Sequence, residues 1–209
     1  VIYPSGQPAV RIDPGPIATV LEGRTRPTHF AGVSQVVLTL MHLTAPRWAL
    51  FGRKDAQQLA IIESMVRDLA VPLEIVPVDI RRESDGLAMS SRNAYLSPEQ
   101  RHQALALSRA LQAGRDAAAQ VTGTRPDPAA IRQAALASLE AADGVEIDYV
   151  ALVAPDSFED LAGAGLGLPR SEPAGEDKGE GLPAVGLLAV AARVGTTRLI
   201  DNTLIDLRP

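Results

Sequence analysis

The sequence predicts an α/β chain: a strand–helix–strand unit on a parallel sheet, followed by a smaller α+β region. Three observations predict it. An apolar stretch ending at Gly52, a helical pattern and a second apolar stretch at Leu73–Val78 follow one another with short connections, which is the signature of a right-handed βαβ unit. Ser97-Pro98-Glu99-Gln100 is a helix start with a hydroxyl cap, Pro at the first position and Gln placed to complete a capping box. Val145–Val153 alternates like a half-buried strand, whereas Gly186–Val194 is nearly continuous in apolar residues, like a strand covered on both faces.

Taken in order, residues 1–27 hold many Pro and Gly and little periodicity, with one short strand expected near Ala9–Ile12. From Val33 the pattern is helical, with Val33, Val36, Val37, Leu40 and Met41 on one face until Pro46 stops it. Arg47–Phe51 reads as a strand. Asp55 then stands at a helix N-cap position with Gln58 at the spacing of a capping box, and Leu59, Ile62, Val66 and Leu69 point to the core. After the second strand, a helix runs from Ser97 to about Gln120 with Leu107 and Leu111 buried; Asp127-Pro128 opens another that Gly144 ends. Gly163–Pro183, rich in Gly, Pro and acidic residues, reads as a mobile loop, and Arg198–Asp206 as a last strand.

Composition narrows the function classes. A chain of 209 residues, 46% hydrophobic, can bury a real core. A net charge of −5 argues against a general nucleic-acid binder. With no cysteines, disulfides, thiol catalysis and thiolate metal sites are excluded. No apolar run reaches membrane-spanning length and no signal pattern opens the chain, so it reads as soluble and cytoplasmic. The opening Val in place of Met suggests a fragment.

Two segments carry chemistry. In Phe51-Gly-Arg-Lys-Asp-Ala-Gln-Gln58, Lys54 lies just past a strand end and just before a helix start, where a cation and free backbone amides can meet phosphate oxygens together. Taken alone, this motif more often marks a solvated surface lysine, because charged residues are mostly exposed. In Leu87-Ala-Met-Ser-Ser-Arg-Asn93, two hydroxyls beside a guanidinium can grip phosphates and follow the charge of a leaving pyrophosphate; the plainer reading is a Ser-rich turn leading to Ser97. Ligands of parallel sheets bind beyond the carboxyl ends of the strands, where Gly52–Asp55 falls. His29 reads as a structural hydrogen-bonding group near a helix start, and His42 and His102 have no metal-ligand spacing.

These two segments, with Arg26-Pro-Thr-His-Phe-Ala-Gly-Val33, resemble pantothenate synthetase, the pantoate–β-alanine ligase family, and the longer string D-G-L-A-M-S-S-R-N-x-Y-L makes the resemblance specific. It implies part of a Rossmann-like nucleotidyltransferase (HUP-type) parallel sheet over residues 1–81, binding ATP and pantoate. A smaller C-terminal α+β lid domain over 82–209 would carry a KMSKS-like loop. It implies ATP contacts at Gly52, Arg53, Lys54, Asp55, Arg81 (through its backbone), Met89, Ser90, Ser91 and Arg92, with Lys54, Ser90, Ser91 and Arg92 neutralising the transition state. Gln58 would contact pantoate as well as cap its helix. Arg53 is a departure, since the family usually has Glu there; it would either attract the nucleotide or upset a local ion pair. Glu22 and Arg26 match family positions near the active site without assignable roles.

The implied reaction condenses pantoate with β-alanine through a pantoyl adenylate, with ATP as substrate, Mg²⁺ held largely through phosphates and water, and a homodimer as the full-length form. No nucleic acid or membrane is expected as a partner. The family's N-terminal third, with its HIGH-type histidine motif, has no counterpart in the sequence. The 209 residues alone are therefore expected to be inactive or nearly so, and to expose an apolar face of the βαβ unit. Two alternatives stay open: another nucleotidyltransferase of the same superfamily, or a non-catalytic remnant.

Overall fold

The computed structural model describes residues 2–3, 6, 8–166, 168 and 182–209, and the chain divides into two compact units, Val1–Asp79 and Ile80–Pro209.

The first unit is the expected βαβ element with a helical approach. A 3₁₀ turn at Pro16–Thr19 and a single helical turn, α1 (Glu22–Thr25), precede α2 (His29–Thr44). Then come β1 (Trp48–Gly52), a 3₁₀ turn at Arg53–Asp55, α3 (Ala56–Asp68) and β2 (Glu74–Val78). β1 and β2 are parallel and in register from Trp48 opposite Glu74 to Gly52 opposite Val78. Met41, Ile62 and Met65 form the buried centre, with Val33, Val37, Ala49, Phe51 and Ile75 packed around it. Alternation along β1 therefore turns Ala49 and Phe51 to the helices and leaves Trp48 and Leu50 on the other face, 51% and 66% exposed.

Several local expectations are corrected here. α2 begins at His29, four residues before Val33, and ends at Ala45, whose φ of 43° places it in the left-handed region just before Pro46. Its buried residues are Phe30, Ser34 and Met41, with Val33 and Val37 half-buried against the core around Met41, and Leu40 lies off that face and is exposed. Leu69 is also exposed, because α3 ends one residue before it. No strand forms at Ala9–Ile12: the Ile12 amide donates to Gln35 Oε1 at 3.2 Å, a side-chain partner in place of a ladder. Asp55 occupies the N-cap position of α3, but its side chain accepts no bond there. The 3₁₀ turn runs straight into the helix and gives Asp55 a ψ of 61°, away from the extended geometry that aims a capping oxygen at the second and third amides.

The second unit packs α4 (Pro98–Ala119) and α5 (Pro128–Glu140) on an antiparallel meander of β3 (Val145–Val153), β4 (Val185–Val194) and β5 (Thr197–Asp206). The Ser97 capping box forms in full, with Gln100 N–H donating to Ser97 Oγ at 3.2 Å and Ser97 N–H to Gln100 Oε1 at 3.0 Å. Leu107, Leu111, Ile131, Leu139, Leu152, Leu188 and Val190 belong to one buried cluster. β4 is buried along nearly its whole length, as its apolar run predicts.

β3 departs from simple alternation: every residue from Tyr149 to Val153 is buried. Its register shifts between Ile147 and Tyr149, and the chain after it folds back so that Leu161 N–H bonds Leu152 O. Both faces of its second half are thus covered. α5 stops at Glu140; Gly144, with φ 71°, belongs to the turn into β3. Of the expected loop at Gly163–Pro183, residues 167 and 169–181 lie outside the described residues. Among the described residues, no helix is long and apolar enough to cross a membrane.

Candidate active site

In the first unit, β1 ends at Gly52 and delivers Arg53, Lys54 and Asp55 in one 3₁₀ turn at the N-terminus of α3. A helix start and a lysine therefore share one strand tip, where the positive end of the helix dipole and a cation both favour an anion. Gly52 has ordinary extended dihedrals, and a Cβ placed on it would meet nothing within 4 Å. Packing does not demand glycine there; the bare backbone borders open space. Arg53 pairs with Asp79 just past the end of β2, Nε to Oδ1 at 3.3 Å. Rather than upsetting an ion pair, Arg53 makes one of its own, although Asp79 is 96% exposed and such a pair contributes little to stability. With no capping box at Asp55, the Gln58 side chain is half-buried and makes no hydrogen bond among the described residues.

Its neighbour Gln57 is the residue that sequence reasoning missed. Only 4% exposed, it donates Nε2 to Ile17 O at 2.6 Å and Val20 O at 2.8 Å, and its Oε1 accepts from Glu22 N–H at 3.1 Å. It ties the segment Ile17–Glu22 to the first turn of α3. The signal was present: Gln57, Ile61 and Met65 recur every four residues, so a polar residue stands on the buried stripe and must find partners there. His29, the first residue of α2, is half-buried with its ring 5.1 Å from that of Phe30.

In the second unit, Arg82–Arg92 forms a cross-linked loop. Arg82 and Ala88 make an antiparallel bridge, Glu83 N–H donates to Leu87 O, and Met89 N–H occupies the Arg81 carbonyl at 2.9 Å. Ser90 caps the following 3₁₀ turn, Ser91–Tyr95, by accepting the Arg92 N–H on its Oγ. Glu83 accepts from Asn93 Nδ2 at 2.7 Å and from Arg101 at 2.6 Å, and Arg101 also reaches Asp85 at 2.8 Å. The Asn93 hydrogen bond, then that from Arg101, holds the Glu83 carboxyl below its usual range. Asp85 is held down first by the Leu87 N–H and then by Arg101, whose own guanidinium is pushed up by the two carboxylates.

Around this loop the charges sort themselves. Arg82 is bound to Asp201, Arg101 to Glu83 and Asp85, and Arg198 to Asp148. Arg92, like the exposed Arg81, has no carboxylate partner among the described residues, but unlike Arg81 it is half-buried, and its guanidinium donates to the Arg198 carbonyl at 3.1 Å. A half-buried guanidinium anchored by one neutral bond keeps its charge and most of its donors for a ligand. Met89 and Ser91 are exposed beside it.

The family model for pantoate-β-alanine ligase matches residues 1–204. The chain belongs to the pantoate–β-alanine ligase family. It is 51% identical over 195 residues to pantothenate synthetase 4 of Frankia alni, covering 93% of this chain and 56% of that protein. To the pantothenate synthetase of Salinispora arenicola it is 46% identical over 209 residues, covering 100% and 66%. Among solved structures, pantothenate synthetase of Thermus thermophilus aligns with a TM-score of 0.80 at 39% identity, covering 100% of this chain and 67% of that one. The Francisella tularensis ligase, crystallised with β,γ-ATP and β-alanine, aligns with a TM-score of 0.62 at 27% identity, covering 97% and 60%. The chain spans about half the length of the first of these relatives. The Rossmann-like parallel element and the antiparallel C-terminal α+β unit are thus those of the ligase fold.

Proposed function

We propose that this chain supplies the nucleotide-handling residues of an ATP-dependent ligase that condenses pantoate with β-alanine through a pantoyl adenylate. The observation that carries it is the charge sorting around the loop: three arginines are neutralised by carboxylates, and Arg92, beside Ser90 and Ser91, is not. In this reading residues 1–81 bind ATP and pantoate, and residues 82–209 act as the lid. Lys54, with the backbone of Gly52, Arg53 and Asp55, meets the phosphates; Gln58, whose amide is uncommitted, contacts pantoate. Met89 and the backbone of Arg81 flank the nucleotide.

A pantoate carboxylate oxygen bonds to the α-phosphorus as the bond to pyrophosphate breaks. The β-alanine amine then attacks the acyl carbon, AMP leaves and the amine loses a proton. The first step builds charge on the departing phosphates, which Lys54, Ser90, Ser91 and Arg92 take up. Mg²⁺ would come on the phosphates with its waters, as magnesium that accompanies a nucleotide usually does.

The three histidines at 29, 42 and 102 do not form the paired motif of the family, so the 209 residues alone should release little pyrophosphate. Binding is the sharper test. Calorimetric titration with Mg-ATP should show one site, weakened ~10- to 100-fold by Arg92→Ala, the scale of a charge-assisted hydrogen bond. Titration with pantoate should show binding that Gln58→Ala reduces. No ATP binding by the unmodified chain, or binding indifferent to Arg92, would sink the reading in favour of a non-catalytic module. A preference for nicotinate mononucleotide over pantoate would point to another nucleotidyltransferase.

A further inference from the structure

We propose that Arg82 and Asp201 are positioning residues: their ion pair clamps one end of the Arg82–Arg92 loop to β5, the strand whose Arg198 carbonyl holds the other end. The clamp pre-sets Ser90, Ser91 and Arg92 for a polyphosphate, and in that last clause it rests on the function proposed above.

The geometry is that of a staple. Asp201 has a side chain only 3% exposed and receives both arms of the Arg82 fork, at 2.7 and 3.1 Å. Its Oδ1 also accepts the Asn202 N–H at 2.8 Å, which fixes the carboxylate itself. Arg82 spends a further donor on Gly86 O at 3.0 Å, so one guanidinium grips both the strand and the tip of its own loop. At the far end, Arg92 Nη1 is held by the Arg198 carbonyl, three residues along the same strand and so about 10 Å away at ~3.3 Å per residue. The loop interior is closed by Glu83 between Asn93 and Arg101. Asn93 keeps one buried amide oxygen without a partner, so polar groups were placed here at a local cost.

Burying an ion pair is a poor way to stabilise a fold, since apolar residues of similar volume often serve as well. What such a pair does supply is a fixed register. A loop whose ends are both pinned to one strand loses little further freedom on meeting its ligand, and affinity gains by that difference. Arg82, although an arginine beside the phosphate-gripping segment, commits three of its five N–H donors to Asp201 and Gly86 and its charge to Asp201, which suits it to holding the loop rather than to meeting phosphate.

Asp201→Asn tests this in the 209-residue chain, because the amide keeps the shape and the acceptor for Asn202 while discarding the charge. Hydrogen exchange of the free protein should accelerate on the order of 10-fold at Glu83–Arg92 while the β4 amides stay protected. Mg-ATP affinity should fall ~10-fold with the stoichiometry unchanged. Arg82→Lys, which keeps the charge and loses the fork, should loosen the loop in the same place and guards against a folding failure of the first variant. Unchanged exchange in the loop, or acceleration spread equally over β3, β4 and β5, overturns the clamp. If the unmodified chain binds no ATP while the variants still loosen the loop, the clamp stands and the polyphosphate reading is the part that fails.

Discussion

The two units solve the same problem, covering a sheet, to different degrees. In the second, α4 and α5 lie on a three-stranded meander whose middle strand is buried from Gly186 to Ala192. In the first, helices cover one face of two parallel strands, and the other face keeps Trp48, Leu50 and Val78 exposed. Parallel strands are ordinarily apolar on both sides because both are covered. Leu50 therefore has the composition of a core residue in a place where the described chain gives it no core. The lesson is that residue type in a strand reports the environment the sequence is suited to, and exposure reports what this chain provides.

The sharpest way to break that comparison is the same substitution in both strands. Leu188→Ala, in the centre of β4 and fully buried, should cost about 3 kcal/mol by denaturant unfolding, from lost transfer energy and the cavity left behind. Leu50→Ala should change stability by no more than ~0.5 kcal/mol, as surface changes do. It should also reduce any self-association seen by light scattering. A cost at Leu50 approaching that at Leu188 would mean that its face is covered in solution.

Next in size is Gln57→Ala. It leaves the carbonyls of Ile17 and Val20 and the amide of Glu22 without their partner, and unsatisfied buried groups cost about 1–3 kcal/mol. The loss should appear in the first unit alone, as exchange at Ile17–Glu22, with the meander amides unaffected. A uniform loss in both units would argue that Gln57 supports more than the Ile17–Glu22 segment.

The contrast between the helix starts is smaller and shows what a sequence can and cannot reveal. Ser97 and Asp55 both stand at N-cap positions with Gln at capping-box spacing, yet only Ser97 makes the box. Ser97→Ala should cost about 1 kcal/mol, the worth of a cap, and Asp55→Ala should stay within ~0.5 kcal/mol of the unmodified chain. Pro98 sets the first turn after Ser97, whereas three residues of 3₁₀ turn deliver Asp55, and the letters alone do not distinguish these approaches. The βαβ order and the buried run of β4 were legible because periodicity and apolar content act locally. Gln57 was hidden because its partners lie 35 to 40 residues back in the chain. The pairing of Arg82 with Asp201, 119 residues apart, is a property of the folded unit that no spacing rule carries. Lys54 and the Met89–Arg92 segment were recognisable as letters, while the neutralisation of Arg82, Arg101 and Arg198 around a half-buried Arg92 needed the structure.

The smallest effect separates the units by pH. Glu83 and Asp85 have carboxyls held below their ordinary values of 4.5 and 3.8 by Asn93, the Leu87 amide and Arg101. A depressed pKa means that the folded loop binds protons less readily than the unfolded chain. Its contribution to stability is therefore fully present above the ordinary values and is lost as pH falls through the lowered ones. Protection at Glu83–Arg92, measured against the intrinsic exchange rate at each pH, should then fall as the medium is taken from pH 5 down past ~4, before the β4 amides respond and without a matching change at Ile17–Glu22, where the Gln57 contacts carry no titrating group. Both carboxylates are partly solvated, so the change should be modest and should shrink in high salt. Equal loosening of the loop and of Ile17–Glu22 over that range would show that acid acts on the chain as a whole rather than on the Glu83–Arg101–Asp85 cluster.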